Sequence, residues 1–167
     1  MYSHFRAVAE AVDIPIVLYN IPARTGVNLA YQTVKKLARI PNIAGIKDSS
    51  GNFDNILRYI EETRDIEGKS FRVVSGNDSL ILWTLLAGGS GGISGVSNVL
   101  PEIMASIYDL WMKGDFEGAR KGPGLHTAAP RLHEARKSRT PSSSAPQTSG
   151  AKNSAPAGLH STLHRSR

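Results

Sequence analysis

Along the first 121 residues, short apolar runs alternate with longer stretches in which apolar side chains recur every three or four positions. The runs predict strands and the stretches predict amphipathic helices. Residues 3–12 predict a helix with Phe5, Val8, Ala9 and Val12 on one face. Pro15 opens the apolar strand Ile16-Val17-Leu18-Tyr19. Asn28 is placed to cap a helix whose apolar face is Leu29, Val34, Leu37 and Ala38. Residues 43–47 form a second strand, and Asn52 precedes a helix with Phe53, Ile56, Leu57 and Ile60 at helical spacing. Phe71-Arg72-Val73-Val74-Ser75 is a third strand. A short helix over 79–87 is stopped by Gly88-Gly89, and Gly92-Ile93-Ser94 reads as a Gly-rich fourth strand. Pro101 suits the first turn of a last helix with Ile103, Met104, Ile107, Tyr108 and Trp111 on its apolar face, ended by Gly114.

Strands that alternate with helices and are apolar on both faces imply parallel βα units. Four such units are present, and the first three strands start 27–28 residues apart. This spacing suits half of an eight-fold βα barrel, with an open flavodoxin-like sheet as the alternative. The expected fold class is therefore α/β: a partial TIM (β/α)8 barrel, followed by a disordered tail.

Composition divides the chain near Gly122. Residues 1–121 hold 13 Lys and Arg against 13 Asp and Glu, so the net charge of +6 lies wholly in residues 122–167. That segment lacks Ile, Val, Phe, Tyr, Trp and Met, and it carries five Pro, eight Ser and seven Ala. It cannot bury enough apolar area to offset its ordering entropy, so disorder is expected. Its basic residues are scattered and no aromatic side chain accompanies them, which argues against nucleic-acid binding. Its histidines, His126, His133, His160 and His164, lack acidic or Cys partners, so no metal site is expected. With no cysteine, no signal-like start and no apolar run of membrane-spanning length, a cytoplasmic soluble protein with no membrane partner is expected.

Lys47 closes the apolar run Ile43-Ala44-Gly45-Ile46. A lysine at a strand end ordinarily snorkels to water. If it is instead held in a desolvated place, its pKa falls, and a neutral amine can attack a ketone to form a Schiff base. In a βα barrel the chemistry sits where strands end, and Tyr19, Lys47, Ser75-Gly76-Asn77 and Ile93-Ser94 all lie at such ends. That shared position favours the chemical reading of Lys47.

Two blocks, Tyr19-Asn20-Ile21-Pro22-Ala23-Arg24-Thr25-Gly26 and Gly45-Ile46-Lys47-Asp48-Ser49-Ser50-Gly51, are separated by 28 residues from tyrosine to lysine. They resemble the signature blocks of the dihydrodipicolinate synthase/N-acetylneuraminate lyase family, class I aldolases on a TIM barrel. Ser75-Gly76-Asn77-Asp78 and Gly91-Gly92-Ile93-Ser94-Gly95-Val96-Ser97-Asn98 are similar to the ends of that family's seventh and eighth strands. The resemblance covers residues 1 to about 121, and the four units correspond to strands five to eight.

The resemblance implies that Lys47 condenses with the ketone of pyruvate and that Tyr19 shuttles protons beside it. It implies that Arg24 binds the carboxylate of an aldehyde co-substrate, and that the backbone at Gly76 and Ile93 faces the pyruvate pocket, where it can fix a carboxylate or ketone. Asn20 and Pro22 are expected to shape the turn. No cofactor and no metal are implied, and a homo-oligomer, dimer or tetramer, is. Arginine at the position of Arg24 is typical of synthases acting on aspartate semialdehyde in lysine and diaminopimelate biosynthesis. Asp48-Ser49-Ser50, in place of the usual Glu-Ala-Ser/Thr, leaves open a 2-keto-3-deoxy sugar-acid aldolase or an N-acetylneuraminate lyase-like enzyme.

The family's first four strands, its Gly-Thr-Thr-like pyruvate-binding segment and its second relay tyrosine have no counterpart in this sequence. The chain alone is therefore expected to be an inactive fragment, a non-enzymatic remnant unless another chain supplies that half. Residues 122–167 are also compatible with an out-of-frame origin. Read one nucleotide later, His133-Glu134-Ala135 is compatible with Met-Lys/Arg, and Lys137-Ser138-Arg139 with Asn-Pro, as the family carries nearby. Resequencing the coding DNA tests this.

Overall fold

The computed structural model describes residues 1–121. The expectations for residues 122–167, including the disordered tail and its histidines, lie outside the described residues.

Within 1–121 the elements follow the predicted alternation. Helix α1 (Tyr2–Glu10) leads to strand β1 (Ile16–Asn20), a short helix α2 (Pro22–Thr25) and helix α3 (Tyr31–Leu37). Strand β2 (Ile43–Asp48), helix α4 (Phe53–Thr63) and strand β3 (Arg72–Ser75) follow. A 3-10 turn (Asp78–Leu80) runs into helix α5 (Ile81–Leu86), then come strand β4 (Gly91–Gly92), a second 3-10 turn (Val96–Asn98), α6 (Pro101–Met112) and α7 (Phe116–Lys121).

The four strands form one parallel sheet in the order β1-β2-β3-β4. Each new strand adds beside the last. A flavodoxin-like sheet would reverse direction at a switch point and carry helices on both faces. Here Leu18, Ile46 and Val73, register partners on three adjacent strands, bury against Val34 and Leu37 of α3 and Ile56 and Ile60 of α4. A second cluster joins α5 (Ile81, Leu82, Leu85) to α6 (Met104, Ile107) and to Ala119 of α7. Each fully buried Leu or Ile contributes about 1.5–3 kcal/mol. The helices thus cover one face of a singly wound sheet, as in a segment of a barrel.

The opposite face departs from expectation. Val17 is 50% exposed and Tyr19 46% exposed, although both stand in strands predicted to be apolar on two sides. They project from the side that becomes the interior of a closed barrel, and no described element packs there. On the predicted face of α1, Ala9 is buried and Phe5 packs partly buried against the core, whereas Val8, and Val12 past the helix end, are exposed.

Local chemistry sets several boundaries. Asn52 caps α4, accepting the Asp54 N–H at 2.9 Å, as the sequence predicts. Asn28 does not cap. Its side-chain oxygen accepts from the amides of Asn20 (2.8 Å) and Asn55 (3.1 Å), and α3 starts two residues later, after Ala30. The four residues it was expected to serve, Leu29, Val34, Leu37 and Ala38, are nonetheless all buried. The single-turn α2 was not anticipated. Pro22 fits its first turn, and Gly26, at φ 71°, closes it in the left-handed region. The predicted helix 79–87 begins as the 3-10 turn. The fourth strand is Gly91–Gly92, so Ile93 and Ser94 lie just past it.

Candidate active site

The site begins with register. In the β1–β2 ladder Tyr19 lies opposite Lys47, and in the β2–β3 ladder Lys47 lies opposite Val74. Parallel pairing places the two signature side chains on neighbouring strands and on the same, uncovered face. Lys47 Nζ lies 4.5 Å from the centroid of the Tyr19 ring, within cation–π range. Ser49, two residues past Lys47 on the same face, donates from Oγ to the Tyr19 hydroxyl at 3.3 Å. The Ser49 hydroxyl chiefly holds the Tyr19 phenol below its ordinary value of 10.0; burial opposes it, and the charge and hydrogen bonding of Lys47 add smaller lowering effects.

Gly76 completes the cluster. A Cβ at Gly76 would overlap Ser49 Oγ and stand 2.8 Å from Lys47 Cε. Only glycine lets the loop after β3 come this close to the amine. The Gly76 N–H donates to the Asp48 carbonyl at 2.6 Å, and the Ile93 N–H donates to the Ser75 carbonyl at 2.8 Å. Both donors are therefore spent on extending the sheet. What Gly76 and Ile93 can offer a ligand is a carbonyl oxygen, which accepts from a hydroxyl or iminium N–H but cannot hold a carboxylate. The N–H groups of these backbones, which were expected to fix a carboxylate or ketone, are thus engaged within the sheet.

Arg24 stands on α2, just beyond the end of β1, exposed, and its guanidinium has no hydrogen-bond or ionic partner among the described residues. Ile93 keeps a side chain that is 50% exposed. The structure thus draws Tyr19, Lys47 and Gly76 into contact and leaves Arg24 and Ile93 at the rim of the strand ends.

Sequence reasoning missed Ser49 as a partner of Tyr19 and assigned Asn20 to turn shaping alone. Asn20 and Asp48 are buried, and Asn20 Nδ2 donates to Asp48 Oδ2 at 2.7 Å. Their signal was available. Each follows a member of the Tyr19/Lys47 pair by one position, so alternation brings them together on the opposite face. Deeper in the helical layer, the Tyr59 hydroxyl donates to the Leu29 carbonyl. Burial first, and the Asp48 charge second, push the Tyr59 phenol far above its ordinary range.

A singly wound parallel βα segment with helices on one face and the Tyr19 and Lys47 side chains together at its strand ends defines a portion of a βα barrel. Comparison with known proteins makes the assignment specific. The sequence pattern of the Dihydrodipicolinate synthetase family matches residues 1–146, beyond residue 121, where the resemblance read from the sequence stopped. The chain belongs to this family.

The 4-hydroxy-tetrahydrodipicolinate synthase of Methanococcoides burtonii is 45% identical over 121 residues, which is 72% of this chain and 40% of that relative. The dihydrodipicolinate synthase of Thermotoga maritima superposes with a TM-score of 0.68 at 35% identity, covering 81% of this chain and 44% of that one. The chloride-inhibited enzyme from Acinetobacter baumannii, solved in complex with pyruvate, gives 0.65 at 34% identity over 81% and 43% of the two chains. The chain thus spans about 40% of the length of the curated relatives it matches.

Proposed function

We propose that this chain carries the Schiff-base portion of a pyruvate-dependent aldolase or lyase site, most like that of 4-hydroxy-tetrahydrodipicolinate synthase. We further propose that turnover requires further barrel strands beyond the four among the described residues. The observation that carries this reading is the cross-strand pair itself, with Lys47 Nζ 4.5 Å from the Tyr19 ring at the ends of parallel strands. The pyruvate complex of the Acinetobacter relative supports the choice of keto acid.

In the proposed reaction Lys47, as the free amine, adds to the ketone carbon. A C–N bond forms as the C=O π bond opens, the nitrogen loses a proton and the carbonyl oxygen takes one, giving a carbinolamine. That hydroxyl takes a second proton and leaves as water, and the iminium remains. Loss of a methyl proton gives an enamine, whose carbon attacks the aldehyde of the second substrate; the aldehyde oxygen takes a proton, the iminium re-forms, and its cleavage by an incoming nucleophile, water or a substrate amine, frees Lys47. Tyr19 gives and takes these protons. A phenol held below its ordinary value releases its proton more readily, and Ser49 and Lys47 provide that environment. The carbonyls of Gly76 and Ile93 accept from the carbinolamine hydroxyl or the iminium N–H. Arg24 forks onto the carboxylate of the co-substrate, for which aspartate semialdehyde is the proposed identity.

Two substitutions test these roles in a barrel completed with the missing strands. Tyr19→Phe is expected to slow turnover by roughly 10²-fold or more, as for loss of a proton-transfer group. Full turnover in that variant would remove Tyr19 from the relay. Arg24→Ala is expected to raise the KM for the aldehyde while pyruvate labelling of Lys47 continues. Equal loss of both would make Arg24 a structural residue.

A further inference from the structure

Behind the amine–phenol pair, on the helical face of the same two strands, sits a second cross-strand pair. Asn20 lies opposite Asp48 in the ladder, and both are buried. Asn20 uses its whole side chain. Nδ2 donates to Asp48 Oδ2 at 2.7 Å and to Asn28 Oδ1 at 2.8 Å, while Oδ1 accepts the Leu29 N–H at 2.9 Å. The other Asp48 oxygen accepts the Ser50 N–H at 3.0 Å and the Ser50 hydroxyl at 2.6 Å. No cation pairs with this carboxylate among the described residues, so amides and one hydroxyl carry its desolvation.

Elsewhere on this face the sheet meets the helices through Leu18, Ile46 and Val73. A buried carboxylate is costly where an aliphatic side chain fills the same space, so packing does not explain it. Alignment does. The β1–β2 register is irregular between Ile16 and Val17, so the start of the ladder does not fix its end. A slip of one residue would carry Tyr19 or Lys47 to the wrong face. The main chains of the same two residues also hold the neighbours that touch the reacting groups. The Asn20 carbonyl accepts the Ser49 N–H at 2.8 Å, and the Asp48 carbonyl accepts the Gly76 N–H at 2.6 Å.

We propose that Asn20 and Asp48 are a positioning pair, which locks the ends of β1 and β2 in register from the helical face so that Tyr19, Lys47 and Ser49 meet on the other. The inference rests on Tyr19 and Lys47 being the reacting pair, but its test needs no substrate. In the full chain, tyrosines labelled with ¹³C at Cζ are titrated by NMR, and the Tyr19 signal is assigned by its loss in Tyr19→Phe. Tyr19 is expected to titrate below 10.0 in the unaltered protein.

In Asn20→Ala the midpoint is expected to rise toward 10.0, because Ser49 and Lys47 no longer sit against the phenol. Asp48→Asn keeps the shape and one acceptor, and a smaller rise is expected. The sign is informative: removing a negative charge by itself would move a nearby phenol down, not up. A folded Asn20→Ala protein with Tyr19 titrating as before, or a downward shift in Asp48→Asn, overturns the proposal. So does loss of fold in both variants, which would make the pair a stability element only. If Tyr19 titrates as an ordinary tyrosine before any substitution, the amine–phenol pair itself fails, and this inference falls with it.

Discussion

Lys47→Ala is expected to abolish covalent labelling by pyruvate and borohydride completely, and with it all turnover. The bond requires a primary amine at the ends of the strands, and Lys47 supplies it beside the Tyr19 ring. Lys47→Arg is expected to fail equally, because a guanidinium stays protonated and does not form the imine. Lys69 is the instructive competitor. Burial holds its amine below the usual lysine value, which by itself would favour reaction. Geometry decides otherwise. Lys69 Nζ donates to the carbonyls of Ala38 and Ile40, just past α3, and it precedes β3, at the opposite end of the sheet from the proposed site. Peptide mapping after reduction checks this: label on Lys69 in the Lys47→Ala protein would contradict the assignment.

Gly76→Ala carries the second large effect. Its new methyl group would overlap Ser49 Oγ and approach Lys47 Cε to 2.8 Å, so either the lysine stem or the loop after β3 must move. Overpacking of this kind costs about 1–3 kcal/mol of stability. A shift of about 1 Å in a reacting group costs about 10²-fold in rate. The rate of pyruvate labelling is therefore expected to fall about 10²-fold while the urea midpoint drops modestly. A labelling rate equal to that of the unaltered chain would mean that the loop yields without disturbing Lys47, and that the close packing at Gly76 is incidental.

Much of this arrangement is legible in the sequence. The strand runs and helical spacings gave the order of elements, because burial against the helical layer demands apolar residues at Leu18, Ile46 and Val73. The 28-residue spacing from Tyr19 to Lys47 became a register pair because one βα unit of that length advances one strand. What stayed hidden depended on partners distant in sequence. Asn28 has the form of a helix cap, yet the amides of Asn20 and Asn55 engage its oxygen. Ile93 has the composition of a strand residue, but the ladder ends at Gly92.

The uncovered face was hidden for a different reason. Val17 carries the same apolar signal as Leu18, and only the presence or absence of a covering layer separates a buried position from a half-exposed one. Likewise the engagement of the Gly76 and Ile93 amides was hidden, because which amides the sheet consumes is a property of the ladder.

The most direct test treats the chain, together with a segment supplying the other four strands, with pyruvate and borohydride and then maps its peptides by mass. One adduct with the mass of reduced pyruvate is expected on the peptide containing Lys47, at near-stoichiometric yield. An unmodified Lys47 in the folded, completed barrel would contradict it.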